Sequence, residues 1–449
     1  MSTENQAPAD AKKIVSQPVA IEGSKEGRRS FLKNSVAAGA VGATVPFLNR
    51  SVHAAGSDII KVGLVGCGGR GNGAAHNAMR ADPGCRLTAI AEVFYNRLDE
   101  GKKLLSKGLG DQYAVPDDQC FAGWDCIDKI LATDIDVIIL ATPPGFRPAQ
   151  MEAAVEAGKH VFCEKPVAVD PVGVRRVMAA SEKAKEKGLS VVSGLCWRYD
   201  LGVKATIEQI HSGAIGDIVS IQENYLASTL WTRTPGPDWT PMHKQVANWL
   251  YYSWLSGDHI VEQFIHSLDK AMWLNHDEPP VKCYGLGGRQ VRTGEEYGDV
   301  YDHFSVVYEW ANGTRCFAAT RQMEGCYNET EDYVFGTQGT ARVLANTIKG
   351  KVDWKYTGEK PSMYDLEHVA LMNSIRQGTP INNGDYMAKS TLMAIMGREA
   401  TYSGQVITWD EAIKSEMKLG PDKVTDWGDA PAVEQKMPGR YRFIEDEDA

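Results

Sequence analysis

The stretch Ile59-Ile60-Lys61-Val62-Gly63-Leu64-Val65-Gly66-Cys67-Gly68-Gly69-Arg70-Gly71, written IIKVGLVGCGGRG, decides the fold. Its first eight residues are a nearly continuous apolar run, the pattern of a strand buried on both faces of a parallel sheet. A G-x-G-x-x-G follows at once and opens AAHNAMRA (Ala74 to Ala81), which reads as a helix. Glycine suits these positions because the first permits a tight turn, the second lets backbone reach a pyrophosphate, and the third lets the helix pack closely. The phosphate would sit on the helix N-terminus. Gly66, Gly68, Gly69, Arg70 and Gly71 are therefore candidate cofactor contacts. Glu92 ends the next strand, 26 residues after Gly66, within reach of a ribose 2′-hydroxyl. A carboxylate there would repel a 2′-phosphate, so the pattern favours NAD over NADP.

Outward from this unit, strands and helices alternate. RLTAIAEVF (Arg86 to Phe94), DVIILATPP (Asp136 to Pro144), HVFCEKP (His160 to Pro166) and LSVVSGL (Leu189 to Leu195) read as strands, with helices through AQMEAAVEAGK and Val172 to Lys187. Such alternation predicts a Rossmann-type doubly wound parallel sheet over 55–196. Past about Trp197 the texture changes to short strands separated by Gly, Asn or charged turns, interrupted by helices around Gly257 to Leu274 and Tyr386 to Tyr402. This predicts a second α+β domain over 197–449 with an open, mostly antiparallel sheet. The fold class is α/β.

The chain has 449 residues, 43% of them hydrophobic, and a formal net charge of −10. No sustained basic block recruits nucleic acid or an anionic membrane, and no apolar run reaches the roughly 20 residues of a membrane span. The nine cysteines are scattered without zinc-ligand spacing and read as small core hydrophobes. Residues 1–54 carry Arg28-Arg29-Ser30-Phe31-Leu32-Lys33, a moderately apolar run from Val36 to Leu48, and Val52-His53-Ala54 as a small-x-small stop. That order resembles a twin-arginine export signal, so the expected location is periplasmic or otherwise exported, reached through the twin-arginine machinery.

Two further motifs can carry chemistry. Cys163-Glu164-Lys165-Pro166 stands at the carboxyl end of a strand, where ligands bind in open α/β sheets, and a lysine desolvated there can act as a general base or acid. In Gly257 to Asp269, Asp258, Glu262, His266 and Asp269 fall at i, i+4, i+8 and i+11 and would share one face of a single helix. The stripe puts a titratable imidazole beside carboxylates that can orient it. Asp258, His259, Glu262 and His266 also contain enough donors for a metal, but the spacing is not that of a zinc helix, and no metal is expected.

The three motifs together, in this order, resemble the glucose-fructose oxidoreductase, inositol dehydrogenase and MocA family (Gfo/Idh/MocA), over roughly Ile60 to Gly404. The resemblance implies that Lys165 and His266 flank the hydroxyl whose carbon gives up hydride, with Glu262 where aspartate is usual. It implies that Glu164 approaches the nicotinamide ribose and that Thr142 and Pro143 form a turn beside the cofactor. Pro144 and Arg147 depart from the family's asparagine and histidine. Arg198, Tyr199, Trp249, Asp258 and His259 are the candidate substrate contacts. The resemblance implies an NAD-dependent oxidoreductase acting on a ring alcohol of a sugar or glycoside, with a 3-keto product as one outcome. The alternative is a redox-neutral glycosidase that oxidises, eliminates, adds water and re-reduces. A sugar-binding protein with a vestigial cofactor site is a third reading. An exported dehydrogenase would have to carry its NAD tightly bound, and family resemblance further implies a homo-oligomer.

Overall fold

In the computed structural model, residues 58–445 are described, Asp422 and Asp429 excepted. The Arg28-Arg29 segment and its small-residue stop lie outside the described residues. Six strands, β1 (Ile60–Val65), β2 (Cys85–Glu92), β3 (Cys120–Ala122), β4 (Val137–Leu140), β5 (His160–Cys163) and β6 (Val191–Ser193), pair in parallel in the order β3-β2-β1-β4-β5-β6. Val62, Leu64, Val137, Ile139 and Phe162 are fully buried, as the unbroken apolar runs require of strands covered on both faces. Nine further strands, β7 (Ile218–Ala227), β8 (Lys282–Gly288), β9 (His303–Glu309), β10 (Arg315–Gln322), β11 (Glu329–Gly336), β12 (Gly339–Arg342), β13 (Thr347–Gly350), β14 (Trp354–Lys355) and β15 (Ile407–Thr408), form the second sheet. Its order is β14-β13-β12-β11-β7-β10-β9-β8-β15, antiparallel except where β7 and β10 run parallel. Alternation along β10 buries Cys316, Ala318, Thr320 and Gln322 on one face and exposes Phe317 on the other.

The described residues fall in one compact unit. A helix the sequence reading does not name, Met363–Arg376, brings the chain back from the second sheet to the first, where its Leu371, Met372 and Ile375 join the core of Ile60, Val62 and Leu64. The chain then runs along β6, with Val191 N–H donating to Ile381 O at 2.8 Å and Asn383 N–H to Val191 O at 2.9 Å. The last residues wrap back over the strand ends, where Leu419, Val424 and Trp427 pack against Phe94, Trp124 and Phe146.

One expected element breaks. Gly257 to Leu274 is a single turn, His259–Glu262, followed by the helix Ile265–Leu274. Asp258 has φ +68° and caps His259 N–H with its own side chain, so no helix runs through it. At the junction Phe264 N–H reaches back five residues to His259 O at 3.0 Å, a π-type step that rotates everything after it. Asp258, Glu262, His266 and Asp269 therefore do not form one stripe.

Candidate active site

A cavity of about 350 Å³ opens at the carboxyl ends of β1, β2 and β4. Gly66, Gly68, Glu92, Thr142 and Pro143 line its floor, and Trp249 and Val424 close it from the other half of the chain. Gly66 has φ +94°, and a Cβ on Gly71 would lie 1.8 Å from Gly66 O, so turn and helix touch as the motif demands. A Cβ on Gly69 would meet nothing within 4 Å, and Gly68 caps the Gly69–Ala81 helix without any side-chain hydrogen bond. Free N–H groups above an open cradle fit the pyrophosphate of a dinucleotide. Glu92 is 8% exposed and accepts from the N–H groups of Cys67 (2.9 Å), Val93 (2.8 Å) and Phe94 (3.2 Å). Burial raises its pKa, and those amides oppose the rise. Thr142 Oγ1 donates to Gln150 Oε1 at 2.5 Å, which fixes the turn with Pro143.

Arg70 departs from the expected phosphate contact. Its Nε pairs with Glu164, its Nη2 lies 3.4 Å from Glu367, and its guanidinium stands over the Tyr364 ring at 4.9 Å. Two nearly inaccessible carboxylates draw it off the glycine turn, and Glu164 is thereby held beside Lys165, whose N–H it accepts at 3.2 Å.

Lys165 follows β5 and reaches across to the second half. Its Nζ donates to Glu262 O at 2.5 Å and to Glu262 Oε1 at 3.0 Å, with both side chains little exposed. Arg147, the departure noted in the sequence, is 4% exposed and donates to Glu164 O (2.9 Å) and Pro166 O (2.5 Å). It clamps the main chain on both sides of Lys165, a role no motif announces. His266 presents a buried Nδ1 without a hydrogen-bond partner. Burial first, then the charges of Lys165, Lys270 and Arg70, hold its pKa well below the usual histidine value, so the imidazole is neutral. A lysine, its carboxylate partner and a neutral imidazole thus stand together where a hydroxyl can be gripped and its proton taken.

The structure does not bring every candidate to this corner. Arg198 is boxed by Asp269 (2.8 Å) and Asp277 (2.6 Å) and lies between Trp273 and Tyr386, so its charge is fully engaged. Tyr199 donates to Asn383 Oδ1 at 2.8 Å. Asp258 is inaccessible and accepts from Tyr301 N–H (2.7 Å) and Tyr402 OH (2.6 Å), because the broken helix turns it into the core. His259 follows it, 3.1 Å from Asp258 Oδ1, and edges a small void with Glu262, Arg292 and Gln322. Trp249 belongs to the roof of the large cavity. Among the described residues no group of three or more His, Cys, Asp or Glu is arranged to hold a metal, and no helix is long and apolar enough to cross a membrane.

Residues 60–193 match the family described as "Oxidoreductase family, NAD-binding Rossmann fold", and residues 203–342 match its "GFO/IDH/MocA C-terminal domain". Among curated relatives, inositol 2-dehydrogenase 3 of Saccharopolyspora erythraea is 24% identical over 78% of this chain and 95% of its own length. A glycosyl hydrolase family 109 protein of Shewanella amazonensis is 22% identical over 72% of this chain and 67% of its own. A scyllo-inositol dehydrogenase from Lactobacillus casei, solved with bound NAD(H) and scyllo-inositol, shares the fold with a TM-score of 0.58 at 20% identity, over 78% of this chain and 99% of the other. With both halves matched, well over half of the chain in all, this protein is an enzyme of the Gfo/Idh/MocA oxidoreductase family with an NAD-binding Rossmann domain.

Proposed function

We propose that the enzyme oxidises a ring secondary alcohol of a sugar or glycoside, with Lys165 taking the hydroxyl proton in its amine form, Glu262 pairing with the ammonium that results, and His266 as a second hydrogen-bonding group on the hydroxyl. The observation that carries this reading is the Lys165–Glu262 pair, built across the seam at the end of β5 beside a neutral imidazole. Bound NAD would supply the hydride acceptor. Arg147 and Glu164 fix the main chain of Lys165, and Glu262 takes up its charge. Both the inositol dehydrogenase and the family 109 relative support a polyhydroxylated ring as substrate. Turnover of a panel of sugars and inositols with NAD, followed at 340 nm, tests the reading; no NADH and no altered product from any of them would overturn it.

The family 109 relative also favours a second reading, glycoside cleavage through transient oxidation, elimination, water addition and re-reduction. A nitrophenyl glycoside separates the two: phenol release without net NADH marks cleavage, and a stable keto-sugar marks dehydrogenation. Arg28-Arg29 and the apolar run that follows support periplasmic delivery by the twin-arginine route with NAD already seated. The Trp249 and Val424 roof supports retention of the cofactor, and native mass spectrometry after dialysis reads it directly. The exposed Tyr284, Leu286, Phe317 and Phe335 on the outer face of the second sheet support a homo-oligomer, which the same spectrum measures.

A further inference from the structure

Beneath His266 lies a charge cluster that the proposed chemistry does not touch. Lys270, one turn along the same helix, is 1% exposed. Its Nζ donates to His266 O at 2.7 Å, stands 3.2 Å from Asp332 Oδ2, and lies over the Trp197 ring at 5.3 Å. Asp332 on β11 and Glu223 on β7 are direct register partners, and neither is accessible at all. Neither Glu223 oxygen has an N–H donor, and the group it faces is another carboxyl. Two carboxylates and one ammonium in a sealed space would leave a net negative charge, whereas one proton between the carboxyls makes the cluster neutral and turns two opposed acceptors into a hydrogen bond.

We propose that Lys270 is a positioning residue for His266, its ammonium gripping the His266 main chain and presenting a fixed positive charge beneath the imidazole, made tolerable in the core by a Glu223–Asp332 pair that holds a single proton. This rests on the reading of His266 given above. Burial and the Asp332 charge both push the Glu223 carboxyl well up, which assigns the proton to Glu223. The groups around that pair are Lys270, Glu331, which is paired with Arg342 at 3.0 Å, and the Cys316 thiol, itself pushed well up by burial. The groups around His266 are Lys165 after β5, Arg70 on the first helix, Lys270 on its own helix and Glu262 on the preceding turn. Three cations around one imidazole disfavour a fourth charge, and Lys270 is the one that also holds the His266 main chain.

The test uses the full-length enzyme with NAD, labelled at histidine Cε1 and titrated by NMR, with His266→Gln to assign the resonance. Lys270→Met should move the His266 titration and the acid limb of kcat/KM to higher pH, while KM for NAD stays unchanged. Glu223→Gln should keep wild-type stability and pH profile, because an amide N–H replaces the proton, whereas Asp332→Asn should lower the unfolding midpoint by stranding the ammonium. Should either single variant fail to fold, Lys270→Met/Asp332→Asn removes both charges together and should fold and titrate like Lys270→Met. An unmoved His266 titration in every folded variant lacking Lys270, or equal damage from Glu223→Gln and Asp332→Asn, overturns the proposal. If His266→Gln leaves turnover intact, the catalytic reading falls, and the titration still decides whether Lys270 tunes the imidazole.

Discussion

Two ion pairs stand at the same seam, and their carboxylates are seven residues apart. Glu262 takes the ammonium of Lys165, and Asp269 takes the guanidinium of Arg198. The first joins the Rossmann half to the second half, the second lies just past residue 197 at the start of the second half, and both are little exposed. The difference lies in what else each cation touches. Arg198 has a second carboxylate in Asp277 and aromatic rings on both sides, and Asp269 also accepts from Ser390 Oγ at 2.8 Å. Lys165 has one carboxylate and one carbonyl, next to an imidazole with an unused nitrogen. A saturated pair is a fastening, and one beside an imidazole with an unused nitrogen can work on a substrate.

Replacement of Lys165 by Met gives the largest expected effect: kcat/KM falls by about 10²–10⁴-fold, the range for loss of a positioned proton acceptor. NAD binding by calorimetry and the unfolding midpoint should stay near wild type, since Arg147 still clamps the turn. An active Lys165→Met enzyme would break the distinction drawn between the two pairs. Arg198→Met should do the reverse. It leaves Asp269 buried with its charge unmatched, at a cost of about 3–5 kcal/mol in unfolding free energy, while kcat of the folded fraction barely changes. A denaturant titration beside a turnover assay reads both.

Histidines sharpen the same contrast. His368 stacks on Phe162 at 4.1 Å inside the Rossmann core, and neither ring nitrogen has a hydrogen-bond partner. Burial pushes its pKa down to about 3. Below the unfolded value of about 6.5 the unfolded chain binds a proton that the folded one refuses, so stability is lost as pH falls from there toward 3 and is untouched above. His368→Phe should flatten that acid loss in a plot of unfolding midpoint against pH without moving the pH profile of turnover. His266, depressed as well, should show itself in the turnover profile instead.

The parallel sheet and its glycine turn were legible because strand burial and turn geometry are local demands written in adjacent residues. Lys165 and Glu262 were legible only through a motif, since nothing local says that residues 97 apart will meet. The stripe from Asp258 to Asp269 misled because helical spacing presumes an unbroken helix, and a positive φ at Asp258 leaves no mark in an i, i+4 count. Arg198 and Tyr199 look like ligands in sequence because polar aromatic-rich stretches serve seams and sugar sites equally. Arg147 and Lys270 were not assigned a role: the partners of Arg147 are main-chain carbonyls, which carry no sequence signature, and Lys270 meets a carboxylate on a distant strand that no local pattern announces.

The smallest expected effect concerns Tyr199, a substrate candidate in sequence and a seam residue in space. Its hydroxyl donates to Asn383 Oδ1, which also accepts from Ser193 N–H at 3.1 Å, so the phenol and the edge of β6 share one acceptor. Burial raises the phenol to about 12, and it stays a donor throughout the working range. Tyr199→Phe keeps the ring and deletes one hydrogen bond while Asn383 retains the other, so the loss should be about 1 kcal/mol in unfolding free energy. KM for the sugar should not move. A raised KM with unchanged stability would place Tyr199 at the substrate after all, and would mean that the seam opens far enough to admit the ring.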